Sequence, residues 1–236
     1  MKNDIAEIQT RVLEEAARED DFDFALAGGT ALERYYLHHR FSRDLDFFST
    51  EYKPQNAEQF IGRIEERLGC AGTRAGDFFA DNRAWVIFYL LSKEGMERPL
   101  KVDFVEDLLI ETPRIERIDG VPVYSAKDIY FHKIAAISGT GEQRDMTGKA
   151  AATGRNEPRD AFDLYVLSLT IEPLHSFLRT IPKPYQKRFI RWVQTYSRMD
   201  MKIGLLDLDI YLDGFDAKEM IKHIDEQARE FIGGLT

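Results

Sequence analysis

Hydrophobic residues in the first half of the chain follow helical spacing in some stretches and strand-like spacing in others. Ile5, Ile8 and Val12 recur at helical spacing and predict an amphipathic N-terminal helix, and the apolar positions of residues 55–68 predict a second one. Five stretches have the apolar runs or the two-residue alternation of strands, namely residues 24–27, 43–48, 84–92, 100–105 and 121–124. The connection between the third and fourth contains glycine and proline and predicts an antiparallel hairpin, and the proline in the last predicts an edge strand.

The pattern changes after Ser125, which is expected to cap a helix, and nearly everything downstream has helical spacing. An exception is the glycine-rich stretch 139–159, which lacks large apolar side chains and is expected to be a mobile loop. The chain therefore predicts an α/β (α+β) fold with two domains. Residues 1–125 are expected to form a small mixed, mostly antiparallel sheet with packed helices. Residues 126–236 are expected to form a helical domain, with the active site between the two.

Composition excludes several classes of protein. The 236 residues carry 32 Lys and Arg against 41 Asp and Glu, a net charge of −9, which argues against a protein that coats nucleic acid by bulk charge. One cysteine excludes an internal disulfide framework and fits a reducing compartment. The uncharged runs fall far short of the roughly 18 residues that span a bilayer, and the N-terminus lacks the pattern of a signal peptide. We therefore expect a cytoplasmic protein without a membrane partner.

Three aspartates are placed to meet on one face of the predicted sheet. Because side chains alternate along a strand, Asp44 and Asp46 project from one face, and Asp103 emerges between buried neighbours on another strand. If these strands are neighbours, the three carboxylates converge and raise one another's pKa values unless a cation lies between them. Carboxylate oxygens favour Mg²⁺, which binds through carboxylates together with the phosphates of a substrate.

A glycine turn precedes these aspartates. Gly28, Gly29 and Thr30 follow a predicted strand and open a helix, which Thr30 is expected to cap. Backbone N–H groups at the N-terminus of a helix suit a terminal phosphate, and glycine allows it to approach closely. A phosphate cradle beside an acidic metal site is typical of phosphoryl or nucleotidyl transfer.

The stretch GGTALERYYLHHRFSRDLDFF resembles the signature of the DNA polymerase β-like nucleotidyltransferase superfamily, and more narrowly that of the AbiEii/AbiGii group of bacterial toxins. KVDF, SAKDIYFHKIAAI and PRDAFDLYVL resemble three further motifs in the family's order. The resemblance implies a bilobal nucleotidyltransferase that moves a nucleoside monophosphate from an NTP to an acceptor. The expected acceptor is RNA, at the 3′ end of tRNA, and the expected partners are the NTP and a cognate antitoxin.

The resemblance also implies roles for individual residues. The expected metal ligands are Asp44, Asp46 and Asp103, the last either as a ligand or as the base for the acceptor hydroxyl. The expected nucleotide-binding residues are Gly28, Gly29, Thr30, Lys133, Arg159, Asp160 and Asp163. Among these, Lys133 would neutralise phosphate charge and completes the catalytic set, and the two aspartates of the last motif would either orient it or contact the nucleotide.

Residues 179–198 hold six basic side chains and no acidic one, interleaved with aromatic residues. This combination fits phosphate contact and base stacking on single-stranded RNA. The candidate RNA-contacting residues are Lys183, Lys187, Arg188 and Arg191. However, Phe189, Trp192 and Tyr196 also have the spacing of a helix facing a core, so the basic residues could equally cover a solvated surface.

Two other interpretations of the same residues stay open. The acceptor could be a protein side chain or a small molecule, or the chain could be a non-catalytic nucleotide-binding protein on the same scaffold. A second Asp-x-Asp pair, Asp207 and Asp209, lacks a preceding glycine turn and is expected to be an ordinary solvated pair.

Overall fold

A computed structural model describes residues 2–19, 22–80, 84–139, 143–144, 150–151 and 154–234. These residues form two compact units. The first comprises the chain up to Tyr35 together with Ser42–Asp128, and the second comprises Tyr36–Phe41 and the chain from Ile129 onward. None of the helices in these described ranges is both long and apolar enough to cross a membrane.

The first unit consists of a sheet and three helices. Its helices are α1 (Lys2–Ala17), α2 (Gly28–Ala31) and α3 (Pro54–Leu68). Its strands are β1 (Ala25–Ala27), β2 (Leu45–Ser49), β3 (Ala71–Ala80), β4 (Ala84–Ser92), β5 (Leu100–Glu106), β6 (Ile115–Ile118) and β7 (Val121–Tyr124). A π-helical segment, Leu32–Leu37, follows α2 directly.

The sheet has seven strands in the order β3-β4-β5-β2-β1-β7-β6. Neighbouring strands run antiparallel except β1 with β7 and β2 with β5, which run parallel. The mixed, mostly antiparallel sheet is therefore confirmed, as is the antiparallel hairpin of β4 and β5. The parallel pair β2 and β5 brings two of the predicted carboxylate strands side by side.

One face of the sheet carries the core of the first unit. Leu45, Phe47, Val102 and Phe104 are completely buried, and the rings of Phe47 and Phe104 lie 5.7 Å apart. The Phe60 ring of α3 lies 6.0 Å from Phe47 and 6.2 Å from Phe104, so α3 packs on this face. The alternate residues of β2 and β5, which include the aspartates, therefore lie on the opposite face.

The sheet differs from the predicted one in its outer strands. Two strands were missed, β3 and β6, and β7 lies between β1 and β6, so the prediction of an edge strand at residues 121–124 is wrong. Strand β6 forms the edge of the sheet instead, and Pro122 of β7 lies opposite Arg117 of β6. Ser125 does cap the next helix, because the Asp128 N–H donates a 3.2 Å hydrogen bond to its hydroxyl.

The second unit is helical. It contains α4 (Ala126–Ser138) from Ile129 onward, α5 (Pro158–Thr170), α6 (Leu174–Thr180), α7 (Lys183–Thr195), α8 (Arg198–Leu205) and α9 (Ala217–Gly233). Helix α9 packs against α5, α6, α7 and α8. Within the predicted loop 139–159, β8 (Gln143–Arg144) pairs antiparallel with β9 (Ala150–Ala151), and residues 140–142, 145–149 and 152–153 lie outside the described residues.

Candidate functional site

The three predicted metal-binding aspartates lie on or beside two adjacent strands of the first unit. Asp46 of β2 and Asp103 of β5 are direct partners in the parallel ladder, and their side chains therefore share a face of the sheet. Asp44 stands immediately before β2. The first unit thus places two of the three carboxylates, those of Asp46 and Asp103, side by side, and Asp44 precedes them in the chain.

The Asp103 carboxylate is largely buried. Its Oδ2 accepts a 2.5 Å hydrogen bond from Lys101 Nζ, while its Oδ1 is buried and has no hydrogen-bond partner in the described part of the chain. Burial and the nearby charge of Asp46 raise the pKa of Asp103 to about 6, against the lowering effect of Lys101. A buried, partnerless carboxylate oxygen beside a second carboxylate is an arrangement that a cation would stabilise.

The glycine turn lies directly against Asp46. Gly28 has φ +68°, in the left-handed region that L side chains rarely adopt. A Cβ at this position would lie 2.2 Å from Asp46 Oδ2. Glycine is therefore required here both for the backbone conformation and for the position of the Asp46 carboxylate.

We expect Gly28→Ala to lower the nucleotidyl transfer that the sequence resemblance implies at least about tenfold, because the methyl group must displace the Asp46 carboxylate. The left-handed conformation adds a strain of about 1–2 kcal/mol to the folded state. Steady-state transfer kinetics and a thermal melt of the same preparation measure both effects. The matched control is Gly62→Ala, in α3, where a Cβ meets no atom within 4 Å. The interpretation is wrong if the Gly28 variant retains full transfer at the temperature of the assay.

Thr30 has a different role from the expected one. It does not cap α2, whose N-cap residue is Ala27, and its hydroxyl instead donates a hydrogen bond to the backbone carbonyl of Asp44. Thr30 is completely buried and Gly29 is buried beside it. Thr30 therefore holds the strand that carries Asp44 and Asp46 against the glycine turn.

The segment before Asp44 is fixed by contacts that the sequence did not reveal. Gln9 Nε2 donates hydrogen bonds to the carbonyls of Ser42 at 3.0 Å and of Arg43 at 2.9 Å. The Ser42 N–H donates a 2.9 Å hydrogen bond to Glu33 Oε2. Both Gln9 and Glu33 are buried. The approach to the aspartates is thus held by buried polar groups from two helical segments.

The donor set of the first unit fits Mg²⁺ better than a transition metal. Within the described ranges, no three or more His, Cys, Asp or Glu side chains are grouped so that they could hold a metal ion by themselves. Mg²⁺ does not need such a group, because it binds through one or two carboxylates and completes its coordination with waters and substrate phosphates. The partnerless Oδ1 of Asp103 beside Asp46 provides the hard oxygen ligands that this requires.

In the second unit, the predicted residues Lys133, Asp160 and Asp163 form a buried ionic cluster. Lys133 Nζ lies 2.7 Å from Asp160 Oδ1 and 2.7 Å from Asp163 Oδ2. Asp163 also accepts hydrogen bonds from Arg40 through Nε at 2.7 Å and Nη2 at 2.8 Å, and its Oδ1 lies 2.7 Å from His39 Nε2. Every residue of this cluster is buried.

The charges of this cluster stabilise one another. Burial acts to raise the pKa of Asp163, but Arg40 and Lys133 outweigh it and hold that pKa well below its ordinary value. Burial likewise acts to lower the pKa of Lys133, but Asp160 and Asp163 outweigh it and raise that pKa. Asp163 is therefore ionised at neutral pH with both oxygens engaged, and Lys133 is held as an ammonium ion.

Sequence reasoning assigned no role to His39 and Arg40, although both bind Asp163. They lie in the segment HHR between the glycine turn and the first aspartate, a stretch with two adjacent histidines. The signals were the length of this stretch and the place of Arg40 in the sequence that resembles the family signature. The predicted residue Arg159 directly precedes Asp160 on α5, and its side chain is half-buried.

The basic helix α7 separates its aromatic and basic residues. Phe189, Trp192 and Tyr196 are buried, and the rings of the latter two stack at 4.5 Å, so these aromatic residues belong to the core of the second unit. The side chain of Arg188 is half-buried, with its guanidinium 4.4 Å from the Tyr185 ring centroid. The exposed candidates for RNA contact share one stripe at four-residue spacing, namely Lys183, Lys187 and Arg191.

Comparison with known proteins gives one family and a shared fold. Residues 11–236 match the family described as nucleotidyl transferase AbiEii toxin, type IV TA system. The crystal structure of a proposed nucleotidyltransferase from H. pylori is similar, with a TM-score of 0.56 and 18% identity over 98% of this chain and 95% of that one. JHP933 from Helicobacter pylori is similar too, with a TM-score of 0.55 and 18% identity over 99% and 93% of the two chains. At this identity the likeness establishes the fold alone. No curated protein matches the sequence.

Proposed function

The chain belongs to the AbiEii nucleotidyl transferase toxin family of type IV toxin–antitoxin systems, and from this premise we propose that it transfers a nucleoside monophosphate from an NTP to the 3′ end of tRNA with the help of Mg²⁺. The single observation that carries this proposal is the pairing of Asp46 with Asp103 beside the glycine turn. Membership of the family implies an NTP substrate and a cognate antitoxin.

The first unit supplies the residues for the metal and the triphosphate. Asp44, Asp46 and Asp103 would hold Mg²⁺, which when bound neutralises phosphate charge and orients the triphosphate. The N–H groups of Gly28 and Gly29 would bind the terminal phosphates, as the start of a helix does for anions. Thr30, whose hydroxyl is engaged by Asp44, would support this cradle rather than bind the phosphate through its side chain.

The reaction forms a bond between the acceptor hydroxyl oxygen and the α-phosphorus and breaks the bond from that phosphorus to the bridging oxygen of the pyrophosphate. The proton of the hydroxyl must leave as this happens. Asp103 Oδ1 has no hydrogen-bond partner in the described chain, while Oδ2 is held by Lys101, so Oδ1 would accept this proton in the alternative in which Asp44 and Asp46 alone hold the metal and Asp103 acts as the base. A carboxylate with a pKa of about 6 is mostly ionised at pH 7 and remains basic enough for this step.

In the second unit, Lys133 is buried and paired with two carboxylates, so we assign it to act on phosphate through its charge and not by direct contact. Asp160 and Asp163 both bind its ammonium group, so they act as positioning residues. Asp163 has both oxygens engaged and is completely buried, which leaves no free oxygen for a nucleotide.

The test is incubation of the protein with each α-labelled NTP, Mg²⁺ and total cellular tRNA. We expect label on tRNA, abolished by EDTA and by Asp44→Ala. Label on protein or on a small molecule would show that the protein transfers nucleotides but that tRNA is not the acceptor. Binding of NTP without any transfer would contradict the proposal and favour a nucleotide-binding protein on the same scaffold.

The exposed basic stripe of α7 gives a prediction for the acceptor. We expect the double variant Lys187→Gln, Arg191→Gln to weaken tRNA binding and to reduce the slope of log K against log salt by about one per residue, because each removed cation releases one phosphate contact. Fluorescence anisotropy of labelled tRNA at several salt concentrations measures the slope. The matched control is Lys222→Gln, an exposed lysine of α9 that lies 3.9 Å from Glu219. Equal slopes for the two variants would exclude this stripe as the RNA contact.

A further inference from the structure

An aromatic surface continues the sheet face that carries the aspartates. In the ladder of β4 and β5, Phe88 is the direct partner of Asp103, so both side chains project from the same face, about 4.8 Å apart at the backbone. Gly76 of β3 is the next partner, opposite Phe88. The face thus runs from Asp46 through Asp103 to Phe88 and on to β3 at the edge of the sheet.

Gly76 and Phe78 shape the end of this surface. A Cβ on Gly76 would lie 2.8 Å from the Phe88 ring, so glycine is what allows that ring to lie over β3. Phe78 stands two residues further along β3 on the same face, with its ring centroid 6.3 Å from that of Phe88. Phe78 is 50% exposed, so its ring is accessible to a ligand.

A cation links this surface to the carboxylates. Lys101 Nζ lies 5.1 Å from the Phe88 ring centroid while it also binds Asp103 Oδ2. The Lys101 side chain is 39% exposed, so its ammonium group remains accessible to an anion. An aromatic face next to an accessible ammonium group is complementary to a nucleotide, which presents a base and a phosphate.

We propose that Phe78, Phe88 and Lys101 form a stacking platform for the terminal nucleotide of a single-stranded RNA acceptor. The inference rests on the proposed function, which places the triphosphate at the glycine turn after β1. The attacking and leaving oxygens lie on opposite sides of the α-phosphorus in an in-line displacement. Since β1 lies on one side of Asp46 and Asp103, and β4 and β3 lie on the other, the acceptor approaches from the aromatic side.

The experiment measures acceptor and NTP separately. Phe78→Leu removes the ring and keeps an apolar side chain, and Phe78→Trp keeps an aromatic ring. For Phe78→Leu we expect the KM for tRNA, and the Kd for a fluorescein-labelled single-stranded RNA decamer, to rise about tenfold with the KM for NTP unchanged, as for loss of one base-stacking residue. Phe78→Trp is expected to bind and react like the wild-type protein.

Trp85 provides the matched control. It lies on β4 and is 49% exposed. Trp85 stands three positions before Phe88, and because side chains alternate along a strand, the two project from opposite faces of the sheet. Trp85→Leu is expected to leave both KM values and the decamer Kd unchanged. The platform is excluded if Phe78→Leu behaves like Trp85→Leu, or if it raises the KM for NTP instead, which would assign the ring to the incoming nucleotide.

The Kd for the RNA decamer tests this inference independently of the proposed function. A wild-type protein that binds the decamer through Phe78 but transfers no nucleotide would contradict the proposed function and support the platform. Transfer to tRNA that is insensitive to every Phe78 variant would support the proposed function and overturn the platform.

Discussion

Replacing Asp46 with Asn is expected to reduce kcat for nucleotidyl transfer at least about a thousandfold. Asn keeps the size of the side chain and its contact with Gly28, whose position requires the absence of a Cβ. It removes one of the negative charges that face each other across β2 and β5. A bound metal ion contributes several kcal/mol of transition-state stabilisation, and each 1.36 kcal/mol is a factor of about ten in rate. Single-turnover transfer with saturating NTP measures the effect on the chemical step.

The second Asp-x-Asp pair provides the matched control for this variant. Asp207 is exposed in the second unit, in the same local sequence pattern but without a glycine turn before it. Asp207→Asn is expected to transfer at the wild-type rate. Thermal melts should show that Asp46→Asn is at least as stable as the wild-type protein, because it relieves the repulsion that raises the pKa of Asp103. A variant at Asp46 that retains more than a tenth of the rate would contradict the assignment of this residue to the metal.

The local patterns of the sequence were sufficient for the elements that build the first unit. The alternation of residues 43–48 and 100–105 predicted β2 and β5, since apolar residues at every second position are buried on one side. Pairing between these strands was needed for the aspartates to meet, and the structure provides it as a parallel ladder. The α/β fold class followed from the same patterns and is confirmed.

Other elements could not be predicted because their sequences lack the usual signals. Strand β3 contains two glycines and charged residues, and it is held in the sheet by its long antiparallel pairing with β4 and interrupted by a bulge between Arg74 and Gly76. Strand β6 has only four residues, most of them exposed. The prediction that β7 lies at an edge was wrong because its outer neighbour, β6, could not be predicted from the sequence.

In the candidate site, too, the residues of local motifs could be predicted from the sequence, whereas contacts between distant residues could not. The resemblance to the family motifs identified Lys133, Asp160 and Asp163 as a set, and Asp160 and Asp163 are one helical turn apart on α5. The contacts of Asp163 with His39 and Arg40 join residues more than 120 positions apart. No pattern in a single sequence specifies such a pair, and only the folded second unit reveals that Asp163 neutralises two cations at once.

Asp163→Asn is expected to lower the free energy of unfolding by about 3–5 kcal/mol, the usual effect of removing one partner from a buried ionic network. The variant leaves Arg40 without its bidentate carboxylate, and among the described residues Lys133 keeps Asp160 as its counter-ion. Both cations are buried, so neither can recover its hydration without local unfolding. Urea denaturation followed by circular dichroism at pH 7 measures the loss.

The exposed pair of Arg198 and Asp225 is the matched control for Asp163. Arg198 Nη2 contacts both oxygens of Asp225, at 2.9 and 3.1 Å, but the arginine is 45% exposed, so Asp225→Asn is expected to lose about 1 kcal/mol or less. The pH dependence gives a second measurement. Because the pKa of Asp163 is lower in the folded chain than in the unfolded one, its contribution is present above pH 4 and is lost as the pH falls through the folded value. The acid-induced loss of stability should therefore be smaller in Asp163→Asn than in the wild-type protein. Equal losses at pH 7 for the Asp163 and Asp225 variants would contradict the view that the buried cluster holds the second unit together.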